Sequence, residues 1–352
     1  MKKKWSLLAA PLLVVMIFGG TAIAAAKKPT TATELALYRG SDRQQILEEG
    51  ARKEGKLTFY TTAVLEGSVR PIVNAFQKKY PYIKVDIWRG ETTGVVPRII
   101  EEYSSGKHVV DVIGMTQAGI LVFLEKGILQ PFYSSNLVFI EDAAIKKAPN
   151  GEALTAGHYE TGYGVAYNTK MVTKEELPKT YRDLLDPKWR GKMAVTASST
   201  GVNWMGTILT HYGEDFVKRL AEQNFRVHSL SARGLLDLVI AKEYPIAPAI
   251  GDAMPRKSKQ DGAPVDWVGL EPVYISLGAI MLAKHVQHPH AALLFIDFDL
   301  SKEMAEIYLS TGYNSPRKDI FSERKYKKYY GAESSGEYYK WDRLFKTLFL
   351  KQ

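Results

Sequence analysis

The sequence predicts an α/β protein with two domains. Helical and strand-like segments alternate along the chain, which is the pattern of βαβ units. Residues 109–115, VVDVIGM, form a near-continuous apolar run that is typical of a strand buried in a parallel sheet. About 325 residues follow the N-terminal leader described below, which is more than one hydrophobic core usually serves. We therefore expect two domains and a mainly parallel sheet.

The first half of the chain predicts four helices and three strands. Apolar residues recur every three or four positions in the helices and alternate in the strands. Ser41 begins a capping-box pattern, three of the helices end at glycines, and one ends before Pro81. In order, the elements are a helix from Ser41 to Gly55, a strand at 56–61, a helix at 69–80, a strand at 83–87, a helix at 95–106, a strand at 109–115 and a helix at 120–127.

A second series follows the segment YGVAYNT at 163–169, identified by the same periodicities. Its elements are a strand at 193–197, helices at 202–211, 214–222 and 232–243, strands at 246–250 and 273–282, and helices at 290–300 and 302–309. A last helix, at about 338–349, is expected to dock on one domain because one of its faces is apolar.

The N-terminus has the pattern of a secretory signal peptide, residues 1–26. A basic start is followed by an apolar core from Leu7 to Phe18 and by small residues up to Ala26. We expect cleavage after Ala24 or Ala26, and an uncleaved membrane anchor is the alternative. The chain contains no cysteine, so the pattern predicts neither a lipid anchor at a cysteine nor disulfides.

The charge balance is moderately basic. The formal net charge is +9, with lysines and arginines scattered along the chain. This is typical of a solvated basic surface, and we expect no nucleic-acid partner for an exported protein. The balance is compatible with an acidic solute.

Motifs of the common catalytic centres are absent from the sequence. It contains no G-x-S-x-G elbow, H-E-x-x-H pair, Walker A loop or complete G-x-G-x-x-G. His285, His288 and His290 have a metal-like spacing, but Pro289 and the helix that follows favour a surface loop. We therefore expect no enzymatic activity, no cofactor and no metal ligands.

Six segments, in this order, resemble the extracellular, periplasmic solute-binding proteins of ABC importers. They are KEGKLTFYTTA, VNAFQKKYPYIKVD, DVIGMTQAGILVFLEKGIL, VAYNTKMV, LLDPKWRGKMAV and HPHAALLFIDFDLSKEMAEIYLSTGYNSPR. The ferric-iron-binding branch is the most similar. The resemblance implies a type II periplasmic-binding-protein fold, with a ligand cleft between two α/β lobes joined by crossing strands. It also implies a periplasmic monomer that delivers a small solute to a membrane permease and its ATPase.

The same resemblance implies the lobe boundaries. Lobe one is expected at 40–168 plus 271–318. Lobe two is expected at 169–270 plus 319–352, which includes the C-terminal helical tail.

The iron ligands of that branch are not found at the matching positions. Its histidine slot falls near Val64 and its carboxylate slot on Met115. Its adjacent tyrosine pair, whose oxygens suit a hard trivalent ion, is replaced by Asp252 and Ala253. The resemblance therefore implies a solute-binding protein that lacks the tyrosine pair.

The segment SSTGV, at 198–202, matches the turn with which the iron-binding branch holds the accompanying anion. From the residues alone, a hydroxyl-rich helix start is either an N-cap or an anion site. The resemblance favours an anion at Ser199, Thr200, Gly201 and Val202. Arg233 is either a surface arginine or a bidentate partner of that anion.

Other candidate ligand-binding residues lie at strand ends. Thr61 and Thr62 end the first predicted strand, Arg89 ends the second and Thr116 follows the third, at the places where open α/β sheets bind ligands. A surface role is the alternative for Arg89. Tyr163 and Tyr274 flank the crossing strands, where core packing is the alternative role. Asp252 could accept a hydrogen bond from a hydroxyl or an amine of the solute.

The sequence thus predicts the substrate-binding component of an ABC transporter. Its expected solute is a small anion, namely a phosphate ester, a phosphonate or a carboxylate. The first alternative is a ferric-iron-binding protein that uses an exogenous anion. The second is a secreted enzyme on the same fold.

Overall fold

The computed structural model describes residues 28–321 and 326–350. The predicted signal peptide, 1–26, lies outside these residues. Within the described ranges, no helix combines the length and apolar character that crossing a lipid bilayer requires.

The first part of the chain alternates helices with strands. The elements are α1 Ala32–Ala36, α2 Arg43–Glu54, β1 Lys56–Thr61, α3 Arg70–Lys79, β2 Lys84–Arg89, α4 Thr92–Ser104, β3 Val112–Thr116, α5 Gln117–Lys126, β4 Leu129–Gln130 and β5 Ile145–Lys147. Gly55 ends α2 with a φ of 67°, a left-handed conformation that glycine adopts without strain. The predicted capping box at Ser41 is wrong. Asp42 is the N-cap of α2 without a side-chain bond to the helix, and its carboxylate instead accepts from the Tyr38 hydroxyl at 2.6 Å.

The second part begins with the longest strand. Its elements are β6 Ala153–Asn168, β7 Ala194–Thr196, α6 Ser199–Tyr212, α7 Glu214–Ala221, β8 Arg226–His228, α8 Ala232–Ile240, β9 Ile246–Gly251, α9 Ala253–Gln260, β10 Val265–Val268, β11 Val273–Ala283, α10 Pro289–Asp299, α11 Lys302–Ser310, β12 Lys328–Tyr329 and α12 Ser335–Phe349. Every helix and strand predicted in the chain is found within a few residues of its predicted bounds. The sequence does not predict α1, α9, the long strand β6 or the short strands β4, β5, β8, β10 and β12.

The main sheet has ten strands and is mixed rather than mainly parallel. Its central order is β10–β6–β11–β3–β1–β2. Strand β1 runs parallel to β2 and β3, as the sequence predicts. However, β11 runs antiparallel to both β3 and β6, because the chain returns along the sheet when it passes between the two halves of the molecule. Strand β6 pairs with β11 and then, further along its length, with β9 and β10.

Four groups of buried side chains form the cores of the described chain, and the two largest lie in different halves of the molecule. In the first group, Phe59, Phe76 and Phe295 are at most 2% exposed and pack between β1, α3 and α10. In the second, Trp204 and Trp341 pack between α6 and α12. Two cores covered by helices match the predicted two-lobed α/β fold, which is confirmed. The residue boundaries of the lobes stay a prediction.

Helix α12 docks on α6, as its apolar face predicts. Trp341, Phe345 and Phe349 are each at most 2% exposed. A Cβ at Gly206 of α6 would lie 2.1 Å from the Trp341 ring, so the glycine lets the indole approach the helix backbone. The C-terminal helix is therefore an integral part of the second core.

Candidate ligand-binding cleft

Thr61, Arg89 and Thr116 meet at one edge of the main sheet. They end the neighbouring strands β1, β2 and β3, and Thr61 lies in register with Arg89. The hydroxyl of Thr61 is fully buried and accepts from the Ala63 N–H at 3.0 Å, so it shapes the turn after β1. Thr62 and Thr116 are half-buried and accessible to a ligand. Carboxyl ends of parallel strands are a usual place for ligands, and ligand binding by these residues stays a prediction.

Arg89 is the cation at this edge. Its Nη1 lies 2.8 Å from Glu91 Oε1, and its Nε donates to the Ala63 carbonyl at 3.4 Å. About a third of the Arg89 side chain and three quarters of the Glu91 side chain are exposed. Exposed ion pairs contribute little free energy, so the guanidinium can exchange Glu91 for a solute anion at small cost.

The turn between β7 and α6 has the hydrogen bonds of an N-cap. The Thr200 N–H donates to Ser198 Oγ at 3.3 Å, and the Thr196 hydroxyl fixes the turn by donating to the Leu230 carbonyl at 2.8 Å. A Cβ at Gly201 would lie 2.1 Å from the Thr196 carbonyl oxygen. Only glycine allows this approach of helix to strand, so Gly201 has a packing role whether or not the turn binds an anion. Next to it, Val202 is buried in the core.

Tyr163 connects this turn to the crossing strands. It lies opposite Tyr274 in the β6–β11 register, with ring centroids 5.5 Å apart. Thr200 lies near the Tyr163 phenol, and its side chain opposes the rise in the pKa of Tyr163. Burial raises the pKa of Tyr163 to about 12 and raises the pKa of Tyr274 further. Both phenols are therefore neutral at physiological pH and can donate hydrogen bonds.

Asp252 connects the end of β9 to the segment after α11. It follows β9, is 2% exposed, and its Oδ2 accepts from Asn314 Nδ2 at 3.2 Å. Asn314 lies in the segment after α11, which the sequence assigns to lobe one. Arg256, one turn along α9, has its Nη2 3.8 Å from the same carboxylate oxygen. Arg256 and Asn314 are thus contacts of Asp252 that the sequence does not predict. The Asp–x3–Arg spacing is that of two side chains one helical turn apart, and it could have indicated Arg256. However, Pro255 argued against a helix in this segment.

Arg233 makes its contacts away from the turn at 198–202. Its Nη2 lies 2.7 Å from Asp237 Oδ1, one helical turn further along α8. Its Nη1 donates to Ser258 Oγ of α9 at 3.1 Å, and about half of the side chain is exposed. These contacts fit the surface role that the sequence left open. Its anion-binding role stays a prediction.

The positions that would hold iron contain unsuitable side chains. Val64 is 58% exposed, whereas Met115 is buried in the core. In the part of the chain that the structure describes, no group of three or more His, Cys, Asp or Glu side chains is arranged to hold a metal ion. His288 and His290 instead contact Asp111 and Glu54, with Nδ1–oxygen distances of 2.8 and 2.6 Å.

Comparison with known proteins decides the family. Residues 107–346, about two thirds of the chain, match the family described as bacterial extracellular solute-binding protein. The chain is a bacterial extracellular solute-binding protein. The resemblance to the solute-binding proteins of ABC importers is thereby confirmed. Proteins of this family are periplasmic, bind small solutes, and work with the permease and ATPase of ABC transporters.

Two solved structures of similar fold differ in what they hold. Iron-bound HitA from Pseudomonas aeruginosa has a TM-score of 0.69 and 19% identity, covering 84% of this solute-binding protein and 98% of HitA. AfuA from Actinobacillus pleuropneumoniae, with exogenous fructose-6-phosphate bound, has a TM-score of 0.66 and 21% identity, covering 85% of this chain and all of AfuA. At these identities the likeness shows the fold alone.

A relative in sequence matches over a shorter range. An uncharacterized protein of Haemophilus influenzae is 26% identical over 213 residues. The match covers 53% of this solute-binding protein and 57% of the relative's length.

Proposed function

We propose that this protein captures a small anionic solute, most simply a phosphate ester, in the cleft and delivers it to an ABC importer. Phosphonates and carboxylates belong to the same proposed class. The observation that carries the proposal is that α6, with its hydroxyl-rich start, packs against β9 and the crossing strand β11 and places Thr200 near Tyr163. The likeness to AfuA, whose structure contains a sugar phosphate, supports the ester.

Each part of the cleft has a role in this proposal. The N–H groups at the start of α6 and the hydroxyls of Thr200 and Tyr163 donate to the anion. Arg89 and Arg256 balance its charge from opposite sides. Asp252 accepts a hydrogen bond from a hydroxyl or amine on the body of the solute. Closure of the lobes then removes the anion from water and strengthens these bonds.

The proposal extends to the cell and to the partners. The leader at 1–26 is removed, and the mature protein acts in the periplasm as a monomer. The permease contacts both lobes, 40–168 plus 271–318 and 169–270 plus 319–352, and its ATPase drives import. N-terminal sequencing of exported protein tests this, and a mature chain that still begins at Met1 contradicts it.

Binding of anions is the direct test. We expect methyl phosphate to raise the melting temperature of the mature protein, and a neutral sugar to leave it unchanged. Thr200→Val removes one hydroxyl that donates to a charged group, so affinity should fall by about tenfold or more. Thr210→Val is the matched control, because Thr210 lies at the other end of α6 and donates to the Gly206 carbonyl. A protein stabilised only by neutral or cationic solutes contradicts the proposal.

The two arginines give a second comparison. Because Arg256 lies beside Asp252 and Arg233 beside Asp237, we expect Arg256→Ala to weaken anion binding more than Arg233→Ala. The reverse order would restore Arg233 as the principal partner of the anion.

The likeness to iron-bound HitA keeps a ferric-iron-binding function as the second candidate. A new visible absorption band on titration with ferric citrate, lost when Tyr163 or Tyr274 is changed to Phe, would favour it over the anion.

A further inference from the structure

A cavity of about 420 Å³ lies between the two halves of the molecule, beside the start of α6. Helices α4 and α5 form one side of it, and Ser199 of α6 and the first turns of α12 form the other. We propose that this cavity is a second subsite of the cleft, which takes an aromatic or apolar group attached to the anionic group of the solute. This inference rests on the proposed function.

The lining of the cavity selects an uncharged group. Its floor is made of Val96, Pro97, Leu121 and Val122, and the described side chains that line it include none with a charge. The polar groups at its edge are hydroxyls from threonines and serines. The volume is within the range of about 300–1,000 Å³ that is usual for small-ligand sites. An isolated anion would gain no charged partner here, whereas an apolar body would be removed from water.

Two tyrosine rings favour a flat group. Tyr338 and Tyr339 line the cavity from α12, with centroids 6.0 Å apart and ring planes 67° to each other. Tyr338 is half-buried, and 53% of Tyr339 is exposed. Aromatic rings pack on such faces and edges with a gain beyond the area they bury.

Ser199 connects the cavity to the anion site. It is the first residue of α6, adjacent to Thr200, and it also lines the cavity. A single solute can therefore place its anion at the turn and its apolar body among α4, α5 and α12. The wall contributed by α12 is tied to α5, because the Ser335 N–H and hydroxyl donate to Glu125 at 2.6–3.0 Å.

Two other cavities in the described chain fit this role less well. One, of about 630 Å³, is lined by Glu176, Lys179, Arg182 and other charged side chains on the outside of the second half. The other, of about 390 Å³, lies around Arg39 and Lys79. Neither includes a residue of the α6 turn or of the crossing strands.

The test uses three probes that separate the body of the solute from its anion. Methyl phosphate and phenyl phosphate carry the same charge, and benzyl alcohol carries none. By titration calorimetry on the mature protein, we expect phenyl phosphate to bind about tenfold or more tighter than methyl phosphate, because the ring is removed from water. Tyr339→Ala should abolish that difference and leave methyl phosphate unchanged, whereas Val122→Asp should exclude the ring by placing a charge in the cavity. Phe321→Ala, at a residue 80% exposed outside the cavity, is the control.

The outcomes distinguish this inference from the proposed function. Equal affinity for the two phosphates overturns the subsite and leaves anion capture standing. Binding of benzyl alcohol alone, observed by saturation-transfer NMR and lost in Val122→Asp, supports the subsite and overturns anion capture. Binding of none of the three probes overturns both. Circular dichroism of each variant shows that a lost interaction does not come from unfolding.

Discussion

Gly201 has its effect through a single missing atom. A Cβ added at Gly201 would lie 2.1 Å from the Thr196 carbonyl oxygen, so no other residue fits at this position. We expect Gly201→Ala to lower the free energy of unfolding by about 1–3 kcal/mol, because a backbone oxygen cannot move away as a flexible side chain can. Urea denaturation without solute measures it.

The matched control for that substitution is in α4. Gly94 has no heavy atom within 4 Å of an added Cβ, so Gly94→Ala should be neutral or should stabilise by about 0.5–1 kcal/mol. Equal stability of the two variants would show that the α6 turn relaxes and that the close packing is unimportant.

For single residues, the sequence predicts their place at the sheet edge better than it predicts their side-chain contacts. The candidates Thr61, Arg89 and Thr116 lie together because the carboxyl ends of neighbouring parallel strands must meet. The role of Arg233 depends on the direction of its side chain. In the structure, contacts with Asp237 and with the distant Ser258 determine that direction. Asn314 was not predictable, because its contact with Asp252 joins residues 62 positions apart.

At the scale of elements, the short strand β12 anchors the tail to the crossing strands. It pairs with the start of β11. Lys328 Nζ lies 2.9 Å from both Glu160 of β6 and Glu141, and the Tyr330 hydroxyl donates to Glu160 at 2.5 Å. Burial raises the pKa of Glu160, although Lys328 and Tyr330 oppose the shift.

Lys328→Met should therefore destabilise the folded protein by an amount that depends on pH. Near neutral pH it leaves Glu160 buried without its cation, at a cost of about 2–3 kcal/mol in the free energy of unfolding. A carboxyl whose pKa is raised in the folded state takes up a proton on folding, so its unpaired charge disappears as the pH falls. The cost of the substitution should consequently shrink between about pH 7 and pH 5.

Urea denaturation at several pH values measures that cost. Lys346→Met, which removes an exposed i,i+4 pair with Asp342, is the control and should cost about 0.5 kcal/mol or less. A cost that is constant with pH would contradict the assignment to Glu160.

Most long elements were predictable from the sequence, with β6 as the exception, and most of the short ones were not. Helices such as α6 and α10 show enough turns of apolar periodicity to be identified. Strand β12 has two residues, and its pairing with β11 depends on a distant partner rather than on local pattern. The mixed sheet was not predictable for the same reason, because the direction of each strand depends on how the chain passes between the lobes.

For the whole molecule, two hydrogen-bonded contacts join segments that the sequence predicts to lie in different lobes. Asp252–Asn314 is one, and Ser335–Glu125 is another. The hydrogen bonds from Ser335 lower the pKa of Glu125, so this second contact persists at neutral pH and weakens only as the pH falls through that lowered value.

We expect Glu125→Gln to favour the open form and to speed release of the solute. Stopped-flow displacement measures the release rate, and small-angle scattering measures the opening. Glu101→Gln, at an exposed residue of α4, should change neither. An unchanged release rate in Glu125→Gln would show that the contact does not contribute to closure.

The position of α12 has a consequence for how such proteins diverge. The terminal helix forms one wall of the interlobe cavity, yet no strand of the main sheet follows it in the described chain. Mutations on its exposed side can alter that wall without disturbing the register of any strand, whereas Trp341 and Phe345 must be retained for packing. Substitutions in the first turns of α12, at Tyr338 and Tyr339, can therefore change the shape of the cavity while the strand pairing of the sheet and the packing of the helix stay the same.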